Sequence, residues 1–154
     1  MTVSLFEKKT FSPDETVLCG KKLAEMVDKQ GLPGFICLSG DLGTGKTEFT
    51  RGIASWFSPA SKVRSPSFTI VNEYRRGTRP VFHFDVYRID GDDDLVSSGF
   101  FDYPEEGVFV VEWAEKIASS LPPDRIEVTI SREGDENSRL IKANLITRKA
   151  GISE

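Results

Sequence analysis

Residues 40 to 47 read Gly40-Asp41-Leu42-Gly43-Thr44-Gly45-Lys46-Thr47. The spacing G-x-x-x-x-G-K-[ST] is that of a phosphate-binding loop. Glycines let the backbone wrap tightly, so that consecutive N–H groups converge on phosphate oxygens. Lys46 adds a cation at the β- and γ-phosphates, and the Thr47 hydroxyl is a hard oxygen donor suited to Mg2+. Asp41 to Thr47 are therefore the candidate nucleotide-binding residues. Such a loop needs an acidic partner for its metal, commonly at the carboxyl end of a neighbouring buried strand. Glu112 closes the apolar run Gly107-Val108-Phe109-Val110-Val111 and is the leading candidate, acting directly or through a metal-bound water. The alternative is a strand-end acid that caps the following helix.

Asp85 is the second acid. It reads as mid-strand between aromatic residues, where an unpaired carboxylate needs compensation. A metal-bound or attacking water would supply it, and so would a nearby Arg. His83, the single histidine, shares a strand face with Asp85 and either orients a water or phosphate or is a satisfied structural residue. Trp113 reads as packing, or as a stacking platform for a nucleotide or partner. Ser65 and Ser67 offer hydroxyls on a loop able to sense a γ-phosphate, or form a plain Ser/Pro turn. Asp92-Asp93-Asp94 reads as a solvated helix start, since consecutive residues do not converge on one ion.

The elements that must position these groups are legible from pattern. Gly34 to Ser39 is a short apolar run suited to a buried parallel strand. After the loop, Phe49, Ile53, Trp56 and Phe57 recur at helical spacing. Upstream, Val3 to Lys9 suits a short edge strand. Ser12-Pro13-Asp14-Glu15 is a helix start with Ser12 as N-cap and Glu15 closing a capping box. Cys19, Leu23, Met26 and Val27 line one face of that helix, and Gly31 and Pro33 end it. Phe68 to Arg75 and Val81 to Arg88 form a hairpin across the turn Arg76 to Pro80. In its second strand Val81, His83, Asp85 and Tyr87 face one way, and Phe82, Phe84 and Val86 the other. Asp90 to Ser98 reads as a short acidic helix, and a further short helix runs to Ala118. Arg125 to Ile130 and Leu140 to Ile146 pair antiparallel across a turn at Gly134 to Asn137. Together these predict a three-layer α/β domain of the P-loop NTPase type, with a mixed, partly antiparallel sheet, spanning residues 1–154 as one unit.

Composition limits the function. A hydrophobic share of 38% with 29% charged residues is that of a folded domain. A net charge of −4 argues against an autonomous nucleic-acid binder, although a local basic patch is compatible with it. No apolar run approaches a membrane span, and Met1 to Lys9 lacks the apolar core of a secretory signal. Cys19 and Cys37 read as buried reduced thiols, which fits a cytoplasmic protein.

These motifs resemble the bacterial TsaE family, also called YjeE. Its loop G-D-L-G-x-G-K-T is matched by Gly40 to Thr47, its V-x-S-P-[ST]-[FY] segment by Val63 to Phe68, its H-x-D-[LV]-Y-R by His83 to Arg88, and its apolar strand ending in E-W by Val110 to Trp113. The resemblance implies an ATP-binding, weakly ATP-hydrolysing protein that helps form threonylcarbamoyladenosine in tRNA. It implies action on a complex of TsaB and TsaD, with tRNA met indirectly through that complex. Carried over residue by residue, Thr47 and Glu112 would bind Mg2+, the backbone from Leu42 to Thr47 with Lys46 would hold the phosphates of ATP, and Lys46, Asp85 and Glu112 would serve hydrolysis. Glu48 stands where Thr is frequent in the family, and a carboxylate directly after Thr47 weakens phosphate binding unless it points away. The adenine pocket is expected near the start of the first helix, around Thr10 to Ser12. Two other readings use the same loop: a small-molecule or nucleoside kinase, with Arg75, Arg76 and Arg79 as a lid, and a nucleotide-sensing module that does not hydrolyse.

Overall fold

A computed structural model describes residues 1–41, 43–66 and 70–148. Seven strands form one sheet: β1 (Thr2–Thr10), β2 (Phe35–Ser39), β3 (Val71–Tyr74), β4 (Val81–Asp85), β5 (Val108–Glu112), β6 (Arg125–Arg132) and β7 (Arg139–Ile146). Their order across the sheet is β1-β7-β6-β2-β5-β4-β3. The four central strands, β6, β2, β5 and β4, run parallel, while β7, β1 and β3 pair antiparallel with their neighbours. The sheet is therefore mixed, as the alternating and continuous apolar runs predict. β2 is short and apolar because helices or turns cover it on both faces and strands flank it on both sides.

Two helices, α1 (Pro13–Gln30) and α2 (Lys46–Phe57), cover one face. Leu23, Val27, Phe49, Ile53 and Phe57 pack there against Ile36, Leu38, Val110 and Val128, all essentially without exposure. The other face carries Phe82, Phe84, Val86 and Val111. It is covered by a thinner layer made of α3 (Asp92–Ser97) and two 3-10 segments, with Leu95, Phe100 and Ile117 inserted. The expected alternation along β4 holds: Val81 lies in the first cluster and Phe82 and Phe84 in the second.

Local chemistry explains the ends of α1. Ser12 is its N-cap and accepts from the Glu15 N–H at 3.2 Å, with Pro13 in the first turn. The Glu15 carboxylate takes the Phe11 N–H at 2.9 Å, one residue earlier than a capping box requires. Gly31 closes the helix with a φ of 65°, where its N–H reaches the Val27 carbonyl. Other boundaries differ from expectation. β1 runs for nine residues because β7 pairs with it along its whole length. The helix expected through Ala118 is a 3-10 segment, Ala114–Ser120, interrupted at Ile117. The first hairpin strand is only Val71–Tyr74; Phe68, where it was expected to begin, lies outside the described residues. Both cysteines are free and buried, and burial pushes the Cys19 thiol up to about 11 and the Cys37 thiol up to about 12.

The helices α1 and α2 meet backbone to backbone. A methyl on Gly52 would lie 1.9 Å from the Val17 carbonyl oxygen, and one on Gly20 would lie 2.0 Å from that of Phe49. This contact sets the height of α2, and with it the loop at its N-terminus, over the sheet. Replacing Gly52 with Ala adds helix propensity but forces the two helices apart. We expect a net loss of about 1–3 kcal/mol, read as a lower urea midpoint; an unchanged or raised midpoint would show that the helices are not held this closely.

Candidate functional site

β2 delivers the chain into the glycine loop at the carboxyl end of the parallel strands. Gly45, with a φ of 109°, turns the backbone into α2, a conformation that side-chain-bearing residues rarely adopt. Thr44 braces the turn: its N–H and its hydroxyl both bond the Asp41 carbonyl, at 3.3 Å and 2.8 Å. Phe49 N–H bonds the Gly45 carbonyl at 2.9 Å and so starts the helical ladder. The first N–H groups of α2 thus point back towards the loop, where an anion is favoured. Leu42 lies outside the described residues, as do Ser67 and Phe68.

Lys46 is 8% exposed. Its ammonium donates to the Gly40 carbonyl at 2.6 Å and sits 5.0 Å from the centre of the Trp113 ring. The loop lysine is therefore held across the loop mouth by one carbonyl and one aromatic face. Trp113 comes directly after Glu112 and has a left-handed backbone, φ 64°. That turn at the end of β5 carries the ring over Lys46. Tyr87 packs against the same indole, with ring centres 4.8 Å apart.

The two acids come together through strand register. Asp85 at the end of β4 is paired with Glu112 at the end of β5, and Glu112 is paired with Leu38 of β2, two residues before the loop. Both side chains are nearly buried, at 8% and 5% exposure. Asp85 Oδ1 accepts the Tyr87 N–H at 2.9 Å. Glu112 Oε2 accepts from Nε2 of His83 at 2.6 Å, and the imidazole is fully buried. An ionised carboxylate only accepts, so Nε2 carries the proton of this bond. On the far side of the ring, Nδ1 lies 3.2 Å from Tyr74 Oη. That phenol also accepts the Arg64 N–H at 3.2 Å and faces the Arg64 carbonyl at 3.0 Å. A hydrogen-bonded line thus runs from the loop after α2, through Tyr74 and His83, to Glu112. His83 orients the acid rather than a water or phosphate.

The remaining Glu112 oxygen, Oε1, makes no hydrogen bond to any described residue, and among the described residues no buried side-chain polar atom is left unpartnered. Oε1 therefore opens onto accessible space at the strand ends. Among the described residues, no group of three or more His, Cys, Asp and Glu side chains gathers as a metal cluster. One or two hard oxygen donors, Glu112 and the Thr47 hydroxyl, suit an ion that keeps waters and takes further ligands from phosphate, as Mg2+ does.

A cleft of about 210 Å³ opens beside the loop, between Ser12, Pro13 and Thr16 of α1 and Gly43, Thr44 and Gly45. It lies where an adenine pocket was expected, although Thr10 points elsewhere and is buried against the Thr16 hydroxyl at 2.9 Å. Glu48 lines the same cleft but is drawn to Arg51, at 3.4 Å. Arg75 and Arg79 are committed elsewhere, to the Glu73 carboxylate and the Glu106 carbonyl, both within 2.9 Å. They do not form a lid.

Arg139 carries no local motif in the sequence. It bonds the Thr44 and Gly43 carbonyls at 3.0 Å and 3.3 Å, and also the Glu136 and Ser138 carbonyls of its own turn. That turn is stiffened by Asp135, which accepts from the Ser138 hydroxyl and from the Asn137 and Ser138 N–H groups; these bonds hold its carboxyl below the usual range. The C-terminal hairpin thereby clamps the phosphate loop from a distance of 95 residues along the chain. The only sequence cue was an Arg following a tight turn.

The His83–Glu112 pair yields a direct test. Replacing His83 with Ala leaves a buried acid without its donor and is expected to destabilise the fold by about 3–5 kcal/mol. In urea denaturation the His83→Ala, Glu112→Gln double variant should recover part of that loss. A single variant as stable as the parent would mean that the pair is not formed.

Comparison with known proteins identifies the family. The family described as "Threonylcarbamoyl adenosine biosynthesis protein TsaE" matches residues 10–141. The TsaE protein of Bacillus subtilis is 40% identical over 134 residues, covering 86% of this chain and 81% of its own. That of Haemophilus influenzae is 36% identical over 130 residues, with 81% and 82% coverage. The crystal structure of Bacillus subtilis YdiB superposes with a TM-score of 0.74 at 35% identity, over 95% of this chain and 88% of the other. A family model matching residues 10–141 and relatives of this identity and coverage leave one assignment: the chain belongs to the TsaE family of tRNA threonylcarbamoyladenosine biosynthesis.

Proposed function

We propose that the chain is a Mg2+-dependent ATPase that serves the threonylcarbamoylation of tRNA by acting on a TsaB–TsaD complex. The observation that carries this reading is the convergence of the loop ammonium of Lys46, the unengaged Oε1 of Glu112 and the carboxylate of Asp85 at the carboxyl ends of β2, β5 and β4. On this reading Lys46 exchanges the Gly40 carbonyl for the β- and γ-phosphates. The loop amides from Asp41 to Thr47 and the start of α2 take the remaining phosphate charge. The base lies in the cleft between α1 and the loop. Thr47 and Glu112 would hold the metal, with His83 keeping the Glu112 carboxylate oriented. Bound Mg2+ would neutralise charge developing on the β- and γ-oxygens. Asp85 lies in register with Glu112 and orients the water that attacks the γ-phosphorus as the bond to the β-bridging oxygen breaks and ADP leaves. Turnover remodels the partner complex, and this chain does not itself touch the base to be modified. A cytoplasmic location suits two buried free thiols, and no described helix is long and apolar enough to cross a membrane.

Phosphate release, measured with and without TsaB and TsaD and in Mg2+ or EDTA, tests this. We expect slow release alone, faster release with the partners, and none in EDTA. Lys46→Ala should abolish tight ATP binding through loss of a charge-assisted contact. Glu112→Ala should leave binding measurable but cut hydrolysis by about 10²-fold or more. Unchanged affinity in the lysine variant, or near-normal turnover in the glutamate variant, would falsify the assignment. Release that rises with a small hydroxylated metabolite instead of the proteins would indicate a kinase.

A further inference from the structure

A second depression, of about 370 Å³, lies between the loop that follows α2 and the strand β3. Lys62, Arg64, Arg75 and Arg76 line it, against one carboxylate, Glu73. That carboxylate is committed: Arg75 pairs with it at 2.8 Å, and the Tyr103 hydroxyl donates to its other oxygen at 3.2 Å. The side chains of Lys62, Arg64 and Arg76 are exposed and make no ion pair or hydrogen bond with any described residue. In a chain of net charge −4, this groove is a local reversal of sign. Like charges gathered in one concavity repel unless an anion lies among them.

We propose that this groove binds the phosphodiester backbone of a folded RNA. The lining distinguishes RNA from an acidic protein segment. Protein partners draw on an apolar interface core, yet among the described residues none of the exposed large apolar side chains, such as Tyr87, Val96 or Phe101, borders the groove. Phosphate contacts need no such core. Tyr74, the aromatic residue in the lining, is 4% exposed and turned inward to His83, so it offers no stacking platform. The groove therefore contacts backbone and leaves base sequence unread. Family membership in tRNA modification puts an RNA within reach. The groove is also not isolated from the loop site. The Arg64 backbone that forms its wall is bonded to Tyr74, the outer end of the line to Glu112. This goes beyond the ATPase reading and does not depend on it, because the binding is tested without nucleotide.

The experiment is fluorescence anisotropy of an end-labelled unmodified tRNA, with the full chain titrated through roughly 10⁻⁶ to 10⁻⁴ M and at salt from about 50 to about 200 mM. Three phosphate contacts predict that log K falls against log salt with a slope of about −2 to −3. The Lys62→Ala, Arg64→Ala, Arg76→Ala variant keeps every backbone bond to Tyr74. It should melt at the parent temperature, bind at least about tenfold more weakly at low salt, and lose most of the slope. Absence of salt-dependent tRNA binding by the parent chain, or equal binding by a folded triple variant, overturns the proposal. Competition by polyglutamate as effective as that by unlabelled tRNA also overturns it and reassigns the groove to an acidic protein.

Discussion

A carboxylate at 5% exposure, bonded to a fully buried imidazole at the end of a central strand, is the constraint around which the rest of the structure is arranged. Burying an acid is costly unless its oxygens are satisfied. His83 satisfies one oxygen of Glu112, Tyr74 fixes His83, and the Arg64 backbone fixes Tyr74. The chain of bonds uses three neighbouring strands in their actual order, β3, β4 and β5. A shift of one residue between any two of them would turn the side chains to opposite faces and break it. Strand pairing is thus coupled to the aim of the one oxygen left open.

The loop side is held by different forces. Gly45 supplies a backbone turn, Thr44 a brace, and Arg139 a clamp from the last hairpin. The close approach of α1 to α2 at Gly20 and Gly52 fixes where the helix after the loop begins. Lys46 closes the mouth by bonding Gly40 and lying over Trp113. Trp113 belongs to the acid's strand end, so one cation–aromatic contact joins the two halves of the site. Its left-handed backbone costs about 1–3 kcal/mol in a non-glycine residue, a strain of the kind that gathers where geometry serves a ligand.

Much of this was legible in the chain itself because the relevant signals are local. The G-x-x-x-x-G-K-T spacing, the apolar runs before the loop and before Glu112, and the period-two alternation from Val81 to Asp85 are set by residues close in sequence. The capping signals around α1 were nearly as clear, although the Glu15 carboxylate bonds Phe11 and not Ser12. The 3-10 segment after Trp113 read as a helix because spacing alone does not separate the two over seven residues. The length of β1 was underestimated because pairing with β7, the last strand, sustains it.

What pairing across the sheet decides stayed hidden. Glu112, Asp85 and Leu38 are separated by 27 residues or more and become neighbours only through register. The role of His83 was open because a lone histidine carries no partner in its own sequence; Tyr74 and Glu112 reach it from the adjoining strands. Arg139 gave no cue for the same reason, since its carbonyl acceptors lie on a loop 95 residues away. Sequence by itself determined the chemical parts, a glycine loop of phosphate-binding spacing, one acid closing an apolar strand and a second acid within its neighbour, because backbone conformation and hydrophobic periodicity are short-range properties; that Asp85 ends its strand instead of lying inside it was decided by the structure. Only the tertiary structure decided which oxygen remains available, what aims it and what clamps the loop, because those outcomes depend on long-range pairing that no local pattern encodes.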